Sequence, residues 1–466
     1  MFLIRRLTLC VVFLLASSLA AQTPDFSAAR EEMIRFLVDL IRIDTSNPPG
    51  YETQAAEYIK NVLAREGIQA EIFEKVPGRG NLVARLKGTG SKRPILLMAH
   101  LDVVGVEREK WTVEPFAGLI KDGYVYGRGA ADDKNIVAAQ LETFLLLHRL
   151  KVPLDRDVIL LADAGEEGTT QVGIDFMVAE HWDKIDAEFA VNEGPTMPLK
   201  DGRVPWVGIA TTEKAPRTTR LVARGTSGHG SIPRVDNPIT HLAAAVGRIG
   251  TLQTPMRLNA TTREFFTRLA RVSAPQDAAL YRNLLNPQTA EQAQKELQVK
   301  YPEYFSILRT SVVPTIIRGG FRENVIPGDA EATLDIRALP DEDLPSLYEK
   351  VRAIVSDRLI EVVPPKDGRP ISSPSRIDTD MFRALESAQK QVFPDAVTVP
   401  MMVPFATDMA QLRAKGVQCY GFGPPAEPVS EGKSLFHGND EHISVEQMGK
   451  YLEFLYAAVH DVAGAR

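Results

Sequence analysis

Three short apolar runs in this chain each lead into a histidine or an acid. Residues 94–99 run into His100-Leu-Asp102, residues 158–162 precede Glu166-Glu167, and residues 188–191 precede Glu193. Runs of this length, alternating with helical patterns, predict strands of a mostly parallel sheet that is buried on both faces. Such sheets gather ligands beyond the carboxyl ends of their strands. The pattern therefore places imidazole and carboxylate groups on one rim. Asp132 and, far downstream, His437 extend the series, and a metal is the simplest reason to assemble it.

At 466 residues the chain is too long for one ordinary core, so two domains are expected. The formal net charge is −6 and no Lys/Arg-rich block occurs, which argues against nucleic acid or an anionic membrane as partner. Arg5-Arg6, the apolar stretch 7–15 and Ser18-Leu-Ala20 predict a secretory signal over residues 1–20. That stretch is too short to span a bilayer stably; an uncleaved anchor is the alternative. Cleavage removes two positive charges and no acid, and the product is expected in the periplasm or outside the cell. Only Cys419 then remains, which excludes an intrachain disulfide and a cysteine-rich metal site. Any metal must be held by histidines and carboxylates.

Helical spacing covers residues 30–43 and 53–66, separated by the turn Ser46-Asn-Pro-Pro-Gly50. Strands are expected at 81–86, 95–99, 157–163 and 187–192. A long helix is expected at 133–150, with Ile136, Leu141, Leu145 and Leu146 on its buried side. Near residue 213 the character changes, and 217–224 reads as an antiparallel strand with one wet face. Helices at 239–249 and 344–354 and a strand at 332–338 complete a small α+β unit, interrupted by a charged, Gln-rich helical insertion at 255–308. A helix over 378–393 resumes the first pattern. The expected architecture is α/β. A mostly parallel-sheet catalytic domain with helices on both faces (24–212 and 371–466) is interrupted by a smaller α+β lid and dimerisation domain (213–370).

His100 can ligate through one ring nitrogen while a carboxylate two residues on, Asp102, hydrogen-bonds the other and fixes its tautomer. Gly127-Arg-Gly-Ala-Ala-Asp132 turns tightly before the helix and leaves Asp132 two roles. It is a helix N-cap, or a rim carboxylate offering one oxygen to each of two ions. Gly165-Glu166-Glu167-Gly168 is either a solvated acidic loop or a pair with divided tasks, one binding metal and the other reaching the activated water. His442 rivals His437 as the late ligand, and His229 in Gly-His-Gly-Ser could be a turn residue. His148, His181, His241 and His460 read as ordinary residues.

Taken together, this order resembles the zinc-dependent family of aminoacylases, glutamate carboxypeptidases and succinyl-diaminopimelate desuccinylases, which are co-catalytic metallohydrolases. The resemblance covers essentially the whole mature chain. It includes Asp44-Thr-Ser-Asn-Pro-Pro49, Met98-Ala-His-Leu-Asp-Val-Val104, Asp122-Gly-Tyr-Val-Tyr-Gly-Arg-Gly-Ala130, Gly228-His-Gly-Ser-Ile-Pro233, Asn324-Val-Ile-Pro327, Asp335-Ile-Arg337 and Phe436-His-Gly-Asn-Asp-Glu441. Asp132-Asp133-Lys134 and the long insertion are most similar to the carboxypeptidase S and N-acyl-amino-acid hydrolase branch.

The resemblance implies two zinc ions per chain, with cobalt or manganese as possible substitutes. Asp132 would bridge them, His100 and Glu193 completing one site and Glu167 and His437 the other. Glu166 would be the general base, with Asp102 behind His100. His229, Asn324 and Arg337 would reach the substrate from the lid, and Thr407 from the catalytic domain. The implied reaction is cleavage of an amide or peptide bond beside a free carboxylate, on a peptide or an N-acyl amino acid, by a homodimer joined through the lid. Two positions depart from the family pattern: Asp133, where many members have methionine, and Asn192, where an acid is common. Two other readings compete. A metal-deficient periplasmic binding protein on the same fold would normally lack Glu166 or a ligand. A two-metal phosphoesterase is usually richer in His and Asn.

Overall fold

The computed structural model describes residues 23–427 and 435–465. The expected signal over residues 1–20 lies outside the described residues. No described helix is long and apolar enough to cross a membrane.

An eight-stranded sheet forms the centre. Across it run Val397–Val403, Trp206–Glu213, Gln418–Gly421, Phe189–Asn192, Ile95–His100, Val158–Asp163, Gly80–Leu86 and Ala70–Glu74. The four strands from Gln418–Gly421 to Val158–Asp163 are all parallel. Gly80–Leu86 and Ala70–Glu74 add antiparallel pairs at one margin. Trp206–Glu213 is antiparallel to Gln418–Gly421 but parallel to Val397–Val403.

Side chains alternate across the pleat and so reach two helical layers. Ile95, Leu97 and Ala99 pack with Phe26–Ile41, Lys134–Arg149, Asp380–Val392 and Val445–Ala463. Leu96 and Met98 pack with Ile174–Glu180 and Met409–Ala414 on the other face. Each such Leu or Ile contributes about 1.5–3 kcal/mol when buried, so the strands are held from both sides. His100 pairs in register with Asp163, and Leu97 with Val191. The loops that follow Asp163 and Asn192 therefore leave from the same rim as His100.

A second, five-stranded sheet lies between residues 215 and 363, and every pair in it is antiparallel. Asp329–Ala338 separates Thr219–Arg224 from Ser311–Gly319. Pro238–Gly250 and Leu344–Val355 cover one face through Leu242, Ala245, Leu347 and Val351, while Arg220 and Arg224 stay exposed on the other. Within the 255–308 segment four helices follow one another: Ala260–Val272, Pro275–Leu285, Ala290–Lys300 and Pro302–Ser306. Phe265, Phe266, Leu269 and Leu284 pack on Val399, Met401 and Met402. The insertion is thus docked on the edge strand of the large sheet.

Lys134–Arg149 departs from expectation. All of residues 134–147 are buried, not a single stripe. The helix is wedged between the sheet and the helices Phe26–Ile41 and Val445–Ala463, so it has no wet side. Glu142 is trapped there, fully buried, with neither carboxylate oxygen hydrogen-bonded and Arg149 Nη1 4.0 Å away. Burial pushes its carboxyl up to about 8 from the ordinary 4.5. A raised folded-state value favours the neutral acid. The stability linked to it is full below the unfolded value and is lost as pH rises through the folded one. Glu142→Gln, which cannot ionise, is expected to exceed the natural protein by about 2–4 kcal/mol near pH 9. The gap should close near pH 4.5. Urea melts at the two pH values measure it, and equal stability near pH 9 would show that the charge is accommodated without cost.

Candidate metal centre

Asp102 organises the rim. Its Oδ1 accepts the N–H groups of Gly165 at 2.9 Å and Glu166 at 3.1 Å. Its Oδ2 accepts the Glu167 N–H at 3.1 Å and the Asn47 amide at 2.8 Å. One buried carboxylate thus grips the loop that presents Glu166 and Glu167. Burial raises the Asp102 carboxyl, but the His100 ring, Asn47 and the loop N–H groups outweigh it and hold it below its ordinary value. The expected ring-to-carboxylate bond is corrected. His100 Nδ1 lies 2.9 Å from the Asp102 backbone carbonyl and 3.5 Å from its carboxylate, which is already committed to the loop.

His100 Nε2 faces Asp132 Oδ1 at 3.1 Å. The other oxygen of Asp132, Oδ2, stands 3.2 Å from His437 Nε2, which also lies 2.9 Å from Glu167 Oε1. Asp132 therefore turns one oxygen toward each imidazole. The glycine turn before it makes this possible: Gly129 has φ +88°, and a Cβ there would meet Lys134 and Val103 at 2.9 Å. The N-cap position of Lys134–Arg149 belongs to Asp133, which makes no capping bond and accepts the His100 N–H at 3.2 Å. Asp132 caps nothing. His442 lies apart from this cluster, its ring against Tyr124 and Tyr126.

Two supporting residues escaped the sequence reading. Glu441 Oε1 accepts the N–H groups of Ala131 at 2.7 Å and Asp132 at 3.1 Å, and its Oε2 takes Arg128 Nη1 at 2.5 Å. Burial pushes this carboxyl up to about 7, with Arg128 opposing. The signal was an acid four residues beyond His437 together with the arginine of Gly127-Arg-Gly129. Arg369 is the second. Its guanidinium Nη2 donates to Glu166 Oε1 at 2.6 Å. Nothing in its loop-like surroundings marked it.

The rim is crowded with acids. Burial, then the charges of Asp133 and Glu166, push Glu193 well above the ordinary range. Burial raises Glu166 to about 6 against the pull of Arg369. Carboxylates packed this way stay charged only beside a cation. Ligand atoms of His100, Asp132 and Glu167 lie within 4.8 Å of one another, and so do those of His100, Glu166 and Glu193. The closest set around Glu193 thus includes Glu166 in place of Asp132. Two imidazoles among these carboxylates suit a borderline divalent ion, so the residues fit a metal pair.

The expected substrate residues lie elsewhere. His229 and Asn324 come together at a small two-stranded sheet, where His229 pairs with Val325 and the Gly230 N–H donates to the Asn324 carbonyl at 2.9 Å. His229 is exposed, and Ser231 Oγ lies 2.7 Å from its Nδ1. Arg337 Nε donates to both Asp335 oxygens, at 2.9 and 3.2 Å. Thr407 differs most from expectation. It is fully buried and gives its hydroxyl to Glu213 at 2.8 Å, so it lines no open cleft. A cavity of about 650 Å³ adjoins the cluster, bounded by Pro195 and Thr196 just after Glu193 and by Phe436 just before His437. Its walls include Trp206, Tyr304, Ile307, Met402 and Phe405.

Residues 96–461 match peptidase family M20/M25/M40. The chain belongs to this family. It is 30% identical over 448 residues to the human N-fatty-acyl-amino acid synthase/hydrolase PM20D1, covering 93% of this chain and 88% of that one. A probable carboxypeptidase S-like 2 from Dictyostelium discoideum is 29% identical, covering 81% and 73%. Among solved structures, the M20 metallo-carboxypeptidase Sso-CP2 of Sulfolobus solfataricus superposes with a TM-score of 0.68 at 20% identity, over 92% of this chain and 99% of that one. The Bacillus subtilis YXEP protein, described as a dinuclear metal binding peptidase, gives a TM-score of 0.56 at 16% identity, over 93% and 99%. This M20 chain is an enzyme of the peptidase and amidohydrolase class, hydrolysing peptide or amide bonds.

The grip of Asp102 on the 165–167 backbone yields a test. Asp102→Asn puts an N–H donor where an acceptor faced Glu167 and Asn47, so the loop should loosen. Metal affinity is expected to fall about 10–100-fold, measured by competition with a chromophoric chelator. Unchanged affinity would mean the loop is held without it.

Proposed function

We propose that this enzyme uses two zinc ions to hydrolyse the amide of N-acyl amino acids that carry an extended apolar acyl group. One observation carries the choice of substrate: the cavity beside the acid-imidazole cluster is walled mainly by aromatic and aliphatic side chains. An acyl chain gains by leaving water along those apolar walls. Glu303 and Glu427 also line the cavity, so the substrate series includes dipeptides, whose amino end those acids could pair. The substrate printed in the human relative's name agrees with this reading. The full ligand set, with Glu166 intact, favours an enzyme over a binding protein.

In this reading His100, Asp132 and Glu193 hold one ion, and Asp132, Glu167 and His437 the other. Ions held there would supply polarisation of the amide carbonyl and a more acidic attacking water. Glu166 accepts the proton of that water as the C–O bond forms and returns it to the amine as the C–N bond breaks. Asp102 holds Glu166 and Glu167 in place through their backbone. His229 and Asn324 reach the substrate from the lid, His229 stabilising the oxyanion. Arg337 meets the free carboxylate, a planar match of guanidinium to carboxylate. Residues 24–212 and 371–466 make up the catalytic unit and 213–370 the lid.

The test combines two variants with a substrate series. Glu166→Gln is expected to abolish turnover while zinc content, read by elemental analysis, stays at that of the natural enzyme. Glu167→Gln should lose zinc. The reverse pattern would exchange the two roles. Across N-acyl amino acids of rising acyl length, kcat/KM should climb about tenfold for every two methylenes buried. A preference for dipeptides over every acyl amino acid would sink the substrate reading.

We also infer a homodimer through the lid. Ser311–Gly319 is an edge strand there, and it exposes Val313, Ile316 and Ile317, with Phe321 exposed just beyond. Exposed apolar edge strands call for cover. Sedimentation at micromolar concentration should report two chains, and Ile317→Lys should shift the balance to one. A monomer in the natural protein would end this inference.

A further inference from the structure

Arg369 sits on residues 364–375, the segment that returns from the lid strand Ile360–Val363 to the helix Asp380–Val392. Its side chain is 12% exposed, an unusual burial for an arginine in a linker. Nη2 donates to Glu166 Oε1 at 2.6 Å and to the Glu166 backbone carbonyl at 3.2 Å. Nη1 donates to Asp408 Oδ1 at 3.3 Å. The guanidinium thus takes two acceptors of one residue, side chain and backbone, and anchors itself on a third.

The outgoing linker is tied to the same point. Arg217 Nη2 donates to the Arg369 carbonyl at 2.8 Å, and the Arg217 N–H donates to the Ile336 carbonyl at 2.7 Å. Ile336 belongs to the central lid strand Asp329–Ala338. The two linkers pass closely at Gly368, where a Cβ would stand 2.9 Å from the Arg217 guanidinium. A continuous series of hydrogen bonds therefore runs from the lid sheet through Arg217 and Arg369 to Glu166.

We propose that Arg369 is a positioning residue that fixes the Glu166 carboxylate and ties its placement to the lid. The proposal rests on the reading of Glu166 as the base. Arg369 tethers Oε1, which keeps Oε2 as the oxygen that exchanges the proton. Residues 364–375 start at the lid strand and end bonded to the large sheet, where Ser375 donates its N–H to the Thr211 carbonyl and accepts the Cys419 N–H, so a lid shift is carried through Arg369 to Glu166. The base is then set for catalysis in one lid position and displaced in another.

The test uses the full-length, metal-loaded enzyme with Arg369→Ala, Arg369→Lys and Arg217→Ala, on whichever amide the natural enzyme cleaves. Arg369→Ala should lower kcat about 30-fold or more, since a misplaced base forfeits much of general-base catalysis. KM should stay within about threefold and metal content should not change. Arg369→Lys should recover part of the loss, because an ammonium can remake one of the contacts but not the fork. Arg217→Ala should move kcat in the same direction by less. A readout independent of turnover comes from the metal-free protein. The Tm losses of Arg369→Ala and Glu166→Gln should sum to more than that of the double variant. Natural kcat in Arg369→Ala, or a raised KM at unchanged kcat, would overturn the proposal, and so would strictly additive Tm losses. An inactive natural enzyme would sink the hydrolase reading instead, and the melts would still decide the contact.

Discussion

Acid side chains cannot share a dry rim unless something positive lies among them. Two like charges 4 Å apart repel by about 4 kcal/mol at the effective dielectric of a protein. A few such pairs rival the whole stability of a domain, which is about 5–15 kcal/mol. Asp132, Asp133, Glu166 and Glu193 crowd one rim, and burial with the charge of neighbouring acids raises Asp133, Glu166 and Glu193. Asp132 alone is held low, because two imidazoles face its two oxygens. The surrounding structure serves this arrangement.

Two further carboxylates do that work without joining the cluster. Asp102 takes the backbone N–H groups of residues 165–167, and Glu441 takes those of 131 and 132. Each holds a loop that delivers a member of the cluster, and each is itself held, Asp102 by Asn47 and Glu441 by Arg128. Arg128 in turn lies over the Trp111 ring, 5.2 Å from its centroid. The residues involved span positions 47 to 441, so neither sequence half can build the rim alone. The interleaving of Gln418–Gly421 between Phe189–Asn192 and Trp206–Glu213 makes the same point in the sheet.

How much of this was legible follows from what sequence patterns record. The parallel centre of the sheet was readable because Ile95–His100 and Val158–Asp163 are buried on both faces and carry unbroken apolar runs. His100, Asp132, Glu166, Glu167, Glu193 and His437 were proposed as a set from their order along the chain, most of them ending an apolar run or lying within three residues of a glycine. The all-round burial of Lys134–Arg149 was not, since its polar residues Gln140, Glu142 and Thr143 imitate a wet face. Gln140 in fact donates to the Met98 carbonyl at 2.7 Å. The true partner of His100 Nδ1 was hidden as well, because spacing names a residue and not which of its oxygens is used. Arg369 lies in Asp367-Gly-Arg-Pro-Ile-Ser-Ser-Pro374, a composition that reads as plain loop. Its burial comes from two linkers crossing, which no local pattern encodes.

The lid residues stand away from the cluster, and the geometry of Arg337 shows why that need not disqualify them. Its contacts to Asp335 both come from Nε. Bidentate recognition of a carboxylate can use the edge formed by the two terminal nitrogens instead. Asp335 can therefore orient the guanidinium and leave that edge for a substrate, so a lid ion pair and a carboxylate site are compatible roles for one residue. The side chain is about one-third exposed, enough to be met from outside. His229 and Asn324 lie close to each other and make none of the contacts within the acid cluster. Under the proposed reading, a site divided in this way is completed when the 213–370 segment closes on the cluster. The two linkers of that segment meet at Arg217 and Arg369, and the second of these holds the carboxylate of Glu166, the base in that reading.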